Sequence, residues 1–154
     1  MSHKVDLPVH HFSKAKNCFS EVKFLSCDTS MNGKIITQLS EVCKSIEELH
    51  LIVKAKNNYD KIVKLIEGQK KLTKIHLLQL GISCCEIIEN SIIKHANTIQ
   101  HFMTNRKPMT KILSTFINLR VLELDDDIYV SSWDDIDNIT LPFLQVLKLI
   151  VFQD

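Results

Sequence analysis

The sequence predicts an α/β fold: a curved solenoid with a parallel β-sheet on its concave face and helices on its convex face. Three observations lead there. First, a six-residue pattern recurs as FSEVKF at Phe19, IEELHL at Ile46, LTKIHL at Leu72, IQHFMT at Ile99, LRVLEL at Leu119 and LQVLKL at Leu144, in steps of 27, 26, 27, 20 and 25 residues. Every copy is apolar at its first and fourth positions, and only the fourth copy, with Thr104, lacks an apolar sixth. Second, the apolar spacing switches between copies from the period of a strand to that of a helix. Third, strand, helix and strand running in one sense require parallel pairing with crossovers on one side. No single unit can bury its own apolar face, so stacked neighbours must share a core.

Residues 1–18 carry no copy of the pattern and read as a flank or the tail of a preceding unit, with Pro8 a candidate helix start. The repeat domain is expected over 19–154. Val22-Lys23-Phe24 reads as its first strand, and Ile36, Leu39 and Cys43 fall on one helical stripe. Strand Glu48 to Val53 comes next, with Asn57-Asn58 as a turn and helix cap. Tyr59, Ile62, Val63 and Ile66 form the next stripe, and Lys74 to Leu80 the third strand. Ser83 and Glu86 have capping-box spacing ahead of the stripe Ile88, Ile92, Ala96. After strand His101 to Thr104, Pro108 should start a compact helix through Met109, Ile112, Leu113 and Phe116. Val121 to Asp125 is the clearest strand, and Val146 to Phe152 the last. Ser132 with Asp135 marks a capped turn between them. No polar unit closes the final strand, so either the array continues or something else covers that edge.

The bulk numbers exclude several classes. The chain has 154 residues, enough for one domain, and is 45% apolar and 24% charged with three Gly and three Pro, which is ordinary for a globular protein. Nineteen basic and 18 acidic residues leave a net charge of +1, no field for nucleic acid or an anionic membrane. No apolar run is long enough to span a bilayer, and MSHKVDLPVHHF has no signal-peptide core. Five Cys, an odd number without a CxxC pair, fit a reducing compartment, so a cytoplasmic or nuclear location is expected. There is no Gly-rich phosphate loop, nucleophile elbow or strong ligand spacing, so neither an enzyme nor a cofactor is expected.

The repeated LxxLxL pattern resembles leucine-rich repeats. The stretch VKFLSCDTSMNGKIITQLSEVCKSIEELHL, with Cys27 and Cys43, resembles the cysteine-containing repeats of F-box proteins. The later units depart from it, the Cys43 slot becoming Gln69, Ala96, Phe116 and Leu141. HANTIQHF, MTKILSTFINLRVLELDD and LPFLQVLKL are similar to stretches of an expanded fungal family of F-box/leucine-rich-repeat proteins. That resemblance implies recognition of another protein, as by the substrate receptor of an SCF ubiquitin ligase. Residues 1–18 hold nothing like an F-box, so binding of the Skp1 adaptor and cullin is implied only if an F-box is supplied elsewhere. The alternative is a free-standing scaffold or a fragment.

Alternation along each strand names an exposed ladder. Its central column should be Lys23, His50, His76, Met103, Glu123 and Lys148. One flanking column holds Glu21, Glu48, Lys74, His101, Val121 and Val146; the other holds Leu25, Ile52, Leu78, Asn105, Asp125 and Ile150. Leu25, Ile52 and Leu78 would make an apolar strip on a wet face, a feature that often marks an interaction site. From these columns the partner-binding candidates are Lys23, Leu25, Glu48, His50, Ile52, Lys74, His76, Leu78, His101, Met103, Glu123, Asp125 and Lys148. His50 and His76, with Glu48 and His101 near, have ligand chemistry that suits zinc. The preferred reading is hydrogen-bonding histidines on a binding face, with no metal. Cys27, Cys43 and Cys85 read as core residues. Asp125, Asp126 and Asp127 with Asp134, Asp135 and Asp137 read as solvated loops, Trp133 among them as a packed anchor, and Gln69-Lys70-Lys71 as a solvated helix end.

Overall fold

The structure, a computed structural model, describes residues 16–54, 57–81, 85–125 and 138–150. Among these, six strands form one parallel sheet in strict chain order: β1 (Phe24–Asp28), β2 (Glu48–Val53), β3 (Lys74–Gln79), β4 (His101–Thr104), β5 (Val121–Asp125) and β6 (Val146–Ile150). The helices are α1 (Lys16–Phe19), α2 (Gly33–Val42), α3 (Tyr59–Glu67), α4 (Glu86–Ile93) and α5 (Ile112–Thr115). No helix among the described residues is long and apolar enough to cross a membrane.

Burial alternates residue by residue along β2 and β3, as period-two patterning requires. Leu49, Leu51, Val53, Ile75, Leu77, Phe102, Leu122 and Leu124 point into one core. Helical residues three or four apart meet them there: Ile36 and Leu39, Ile62 and Ile66, Ile88 and Ile92. Among the described residues the helices therefore cover one face of the sheet and leave the other open. The Asn32 side chain caps α2 by accepting from the Lys34 N–H at 2.9 Å.

One backbone bond repeats at the entry to each strand and fixes the register. Glu47 donates to Lys23, Thr73 to Glu47, Gln100 to Thr73, Arg120 to Gln100 and Gln145 to Arg120, at 2.8–2.9 Å. This chain of equivalent positions matches the expected register everywhere except at its start. Ser26, not Lys23, lies opposite His50, and Asp28, not Leu25, lies opposite Ile52. The first copy of the pattern is thus Val22-x-x-Leu25-x-Cys27, three residues later than FSEVKF. Both frames are apolar at the required positions. Contacts at the end of β1 select the later one: Cys27 and Thr29 are buried, and the Thr29 hydroxyl accepts from the Lys54 N–H at 3.0 Å. Phe24, which the earlier frame would bury, is 51% exposed.

Three other expectations change. The helix after Pro108 begins only at Ile112, and Met109 is exposed, although Ile112, Leu113 and Phe116 are buried. Asn58 precedes α3 without capping it through its side chain. It adopts φ 59°, a left-handed conformation that Asn tolerates, and its amide donates to the carbonyls of Thr29 at 3.0 Å and Met31 at 2.9 Å. Gln69 is no solvated helix end but is buried: its amide donates to Cys43 and Leu65 carbonyls, both at 2.8 Å, and its oxygen accepts from the Ile46 N–H at 3.1 Å. The segment bearing Asp126, Asp127, Trp133 and Asp134 to Asp137, the Ser132–Asp135 turn, Ser83 and Pro8 lie outside the described residues.

Candidate functional site

The open face carries a ladder because register is set by the buried side chains. With Leu49, Ile75, Phe102 and Leu122 paired on the core side, the residues between them must pair on the other. His50, His76, Met103, Glu123 and Lys148 form one row across five strands. Glu48, Lys74, His101, Val121 and Val146 form the row before it, and Ile52 with Leu78 begins the row after it.

Asp125 pairs with Ile150 further along that face. Lys23 and Leu25 do not join the face. Lys23 precedes β1 and pairs with Glu47 at 3.3 Å, while Leu25 packs on the core. The apolar strip accordingly shrinks to Ile52 and Leu78. Asn105 is also withdrawn: it is buried, its oxygen accepting from the Gln79 N–H at 2.7 Å and its amide donating to the Gln79 carbonyl at 3.0 Å. Phe24, Ser26 and Asp28 take the first strand's places, residues that the frame beginning at Val22 would have named.

The side chains of the ladder touch. Phe24 meets the His50 ring edge to face at 4.8 Å, the His50 and His76 rings stack at 4.0 Å with 16° between their planes, and His76 lies 5.3 Å from His101. Glu48 Oε1 is shared by His50 Nε2 at 2.7 Å and Lys74 Nζ at 3.0 Å. At the other end, Glu123 Oε1 is shared by His101 Nε2 at 2.6 Å and Lys148 Nζ at 3.1 Å. His76, between these two clusters, has a buried Nε2 with no hydrogen-bond partner among the described residues.

These contacts set the protonation states. Burial lowers the His76 pKa to about 4, helped by the charges of His50, Lys74 and His101, so the ring is neutral at pH 7. Burial and the Lys74 charge also hold His101 below its ordinary value despite the pull of Glu123. For Glu48, burial acts upward, but hydrogen bonds from Lys74 and His50 outweigh it and leave the carboxyl below its usual range. Glu123 behaves the same way through Lys148 and His101. Asp28 does so through Lys54 at 2.8 Å and Ser30.

Cys27, Cys43 and Cys85 belong to the core on the other side of the sheet. Burial pushes the Cys27 thiol up to about 12, with Asp28 adding to it, and raises Cys43 as well. Cys85 is fully buried just ahead of α4, and Cys18 is exposed. A thiolate is the reacting species, so alkylation of the native protein at pH 8 should label Cys18 while sparing Cys27, Cys43 and Cys85 until denaturant is added. Peptide mapping by mass spectrometry reads this directly, and rapid native labelling of Cys27 would contradict its placement in the core.

No family model, curated protein or solved structure matches the chain.

Proposed function

We propose that this chain is a leucine-rich-repeat solenoid whose open, concave face docks another protein. The observation that supports this best is the ladder itself. Glu48, His50, Lys74, His76, His101, Glu123 and Lys148 are held in mutual contact on rigid strands, beside the apolar pair Ile52 and Leu78. Ordered charged and aromatic groups next to apolar area suit an interface, because little side-chain entropy remains to be lost on docking. The sequence resemblance supports the biological setting, substrate recognition of the kind made by F-box/leucine-rich-repeat subunits of SCF ubiquitin ligases. A scaffold that binds partners without recruiting a ligase is the alternative.

Affinity purification from cells, quantified by mass spectrometry against variants, tests both levels. His50→Glu, Ile52→Glu and His76→Glu should each lower recovery of a specific partner about tenfold or more while circular dichroism stays native. Unchanged recovery in all three would move the docking surface elsewhere. Recovery of Skp1 and cullin with the partner supports the ligase setting, and a specific partner without them supports the scaffold.

A further inference from the structure

We propose that Glu48, His50 and His76 form a binding site for a divalent cation of the zinc class on the open face of the sheet. Their ligand atoms all lie within 4.8 Å of one another. The three residues stand on two paired strands. Glu48 and His50 are two apart on β2 and so share a face, and His76 is directly across from His50 on β3. Neighbouring strands hold their backbones fixed, so the metal has little ordering to impose.

The free nitrogen is the second observation. Among the described residues His76 Nε2 is buried without a hydrogen-bond partner, and in the Nδ1–H tautomer this leaves an in-plane lone pair unused in a polar setting. A cation is the kind of partner that such a pair accepts, and imidazole with carboxylate is a set that zinc binds. The His50 Nε2 to Glu48 Oε1 bond of 2.7 Å shows that the other two ligand atoms already converge. Tetrahedral bonds of about 2.0 Å place ligand atoms about 3.3 Å apart. The His50 and His76 rings, stacked 16° from parallel, must rotate out of the stack for both in-plane lone pairs to meet one ion. Three protein ligands leave the fourth position open.

One group opposes the metal. Lys74 Nζ sits 3.0 Å from Glu48 Oε1 and must swing aside when the cation arrives. This gives the site a signature that a chance surface histidine pair would lack. The proposal does not depend on the docking reading, since the cation can be measured on the isolated protein.

The test is calorimetric titration of the full chain with Zn²⁺, and Co²⁺ titration monitored by visible absorption. His3, His10 and His11 are replaced by Gln in the parent, because other histidines also take these ions. One ion per chain is expected. His50→Gln and His76→Gln should each weaken binding about tenfold or more, and Lys74→Gln should tighten it severalfold. Circular dichroism melts establish that each variant is folded, and Lys74→Gln reads the site without removing a ligand. Absence of binding to the parent overturns the proposal. So does an affinity that is indifferent to both histidine substitutions, or one that Lys74→Gln leaves unchanged.

Discussion

Replacing Ile75 or Leu77 by Ala is expected to lower stability by about 2–5 kcal/mol each, while Leu149→Ala costs well under 1 kcal/mol. Leu77 and Leu149 are both sixth in the repeated pattern, and Ile75 is fourth, on the same side of its strand. Ile75 and Leu77 are 0% and 1% exposed, and each has packed strands on both sides. Truncation there removes transfer free energy and leaves a cavity that the flanking strands cannot fully close. Leu149 pairs with Leu124 but is 64% exposed, so its truncation removes little burial and no packing on its outer side. Leu122 and Leu124, at 3% and 4%, should behave like the inner pair. Urea denaturation with the slope checked for constancy measures all five. A loss well below 1 kcal/mol at Leu77 would mean that the strand register is wrong. A loss above 2 kcal/mol at Leu149 would mean that β6 is covered in solution.

Strands were legible wherever side-chain alternation left a single solution. IEELHL and LRVLEL each admit one frame that buries all three apolar residues, and β2 and β5 have that frame. Around Phe19 to Cys27 two frames satisfy the same rule, and alternation cannot separate them. The choice rests on Thr29 and Lys54, 25 residues apart, meeting through a hydroxyl, which is a property of the folded arrangement. The candidate face inherits this division: its columns from β2 to β6 came from the pattern except at Asn105, which is buried, while Lys23 and Leu25 fell with the first frame. Contacts within the ladder were less accessible. The pattern placed His50 beside His76, but ring stacking at 4.0 Å and the shared carboxyl of Glu48 depend on rotamers. Buried polar side chains were the hardest to foresee. Gln69, Asn105 and Asn58 all read as surface residues by type, and each is fixed by backbone groups of another unit.

Glu89 is the extreme case, and its replacement by Ala is expected to cost about 3 kcal/mol. It belongs to α4, within the stripe that reads as apolar, and it is 0% exposed. One carboxyl oxygen accepts from the Met109 N–H at 3.1 Å. The other accepts from the Thr110 N–H at 2.8 Å and the Thr110 hydroxyl at 2.6 Å. Three donors from the segment after β4 are thus satisfied by one side chain from the preceding helix. The segment after β4 is thus tied to α4, and helix begins only at Ile112. Alanine would leave all three donors without their acceptor in a part-buried site, where each orphaned group costs about 1–3 kcal/mol before water or relaxation recovers some of it. Gln keeps the length and one acceptor oxygen but turns an NH₂ toward Thr110. The Thr110 hydroxyl can rotate to accept, which leaves the Thr110 N–H as the main loss, so Glu89→Gln should cost about half as much as Ala. Urea midpoints rank the two variants, and amide exchange at Met109 and Thr110 locates the effect, since both amides should lose protection first. An Ala variant within 0.5 kcal/mol of the parent, about the range of surface substitutions, would show that these bonds do not hold the segment. The order Ala worse than Gln worse than parent, with exchange accelerated at those two amides, would identify Glu89 as the tie between α4 and the segment after β4.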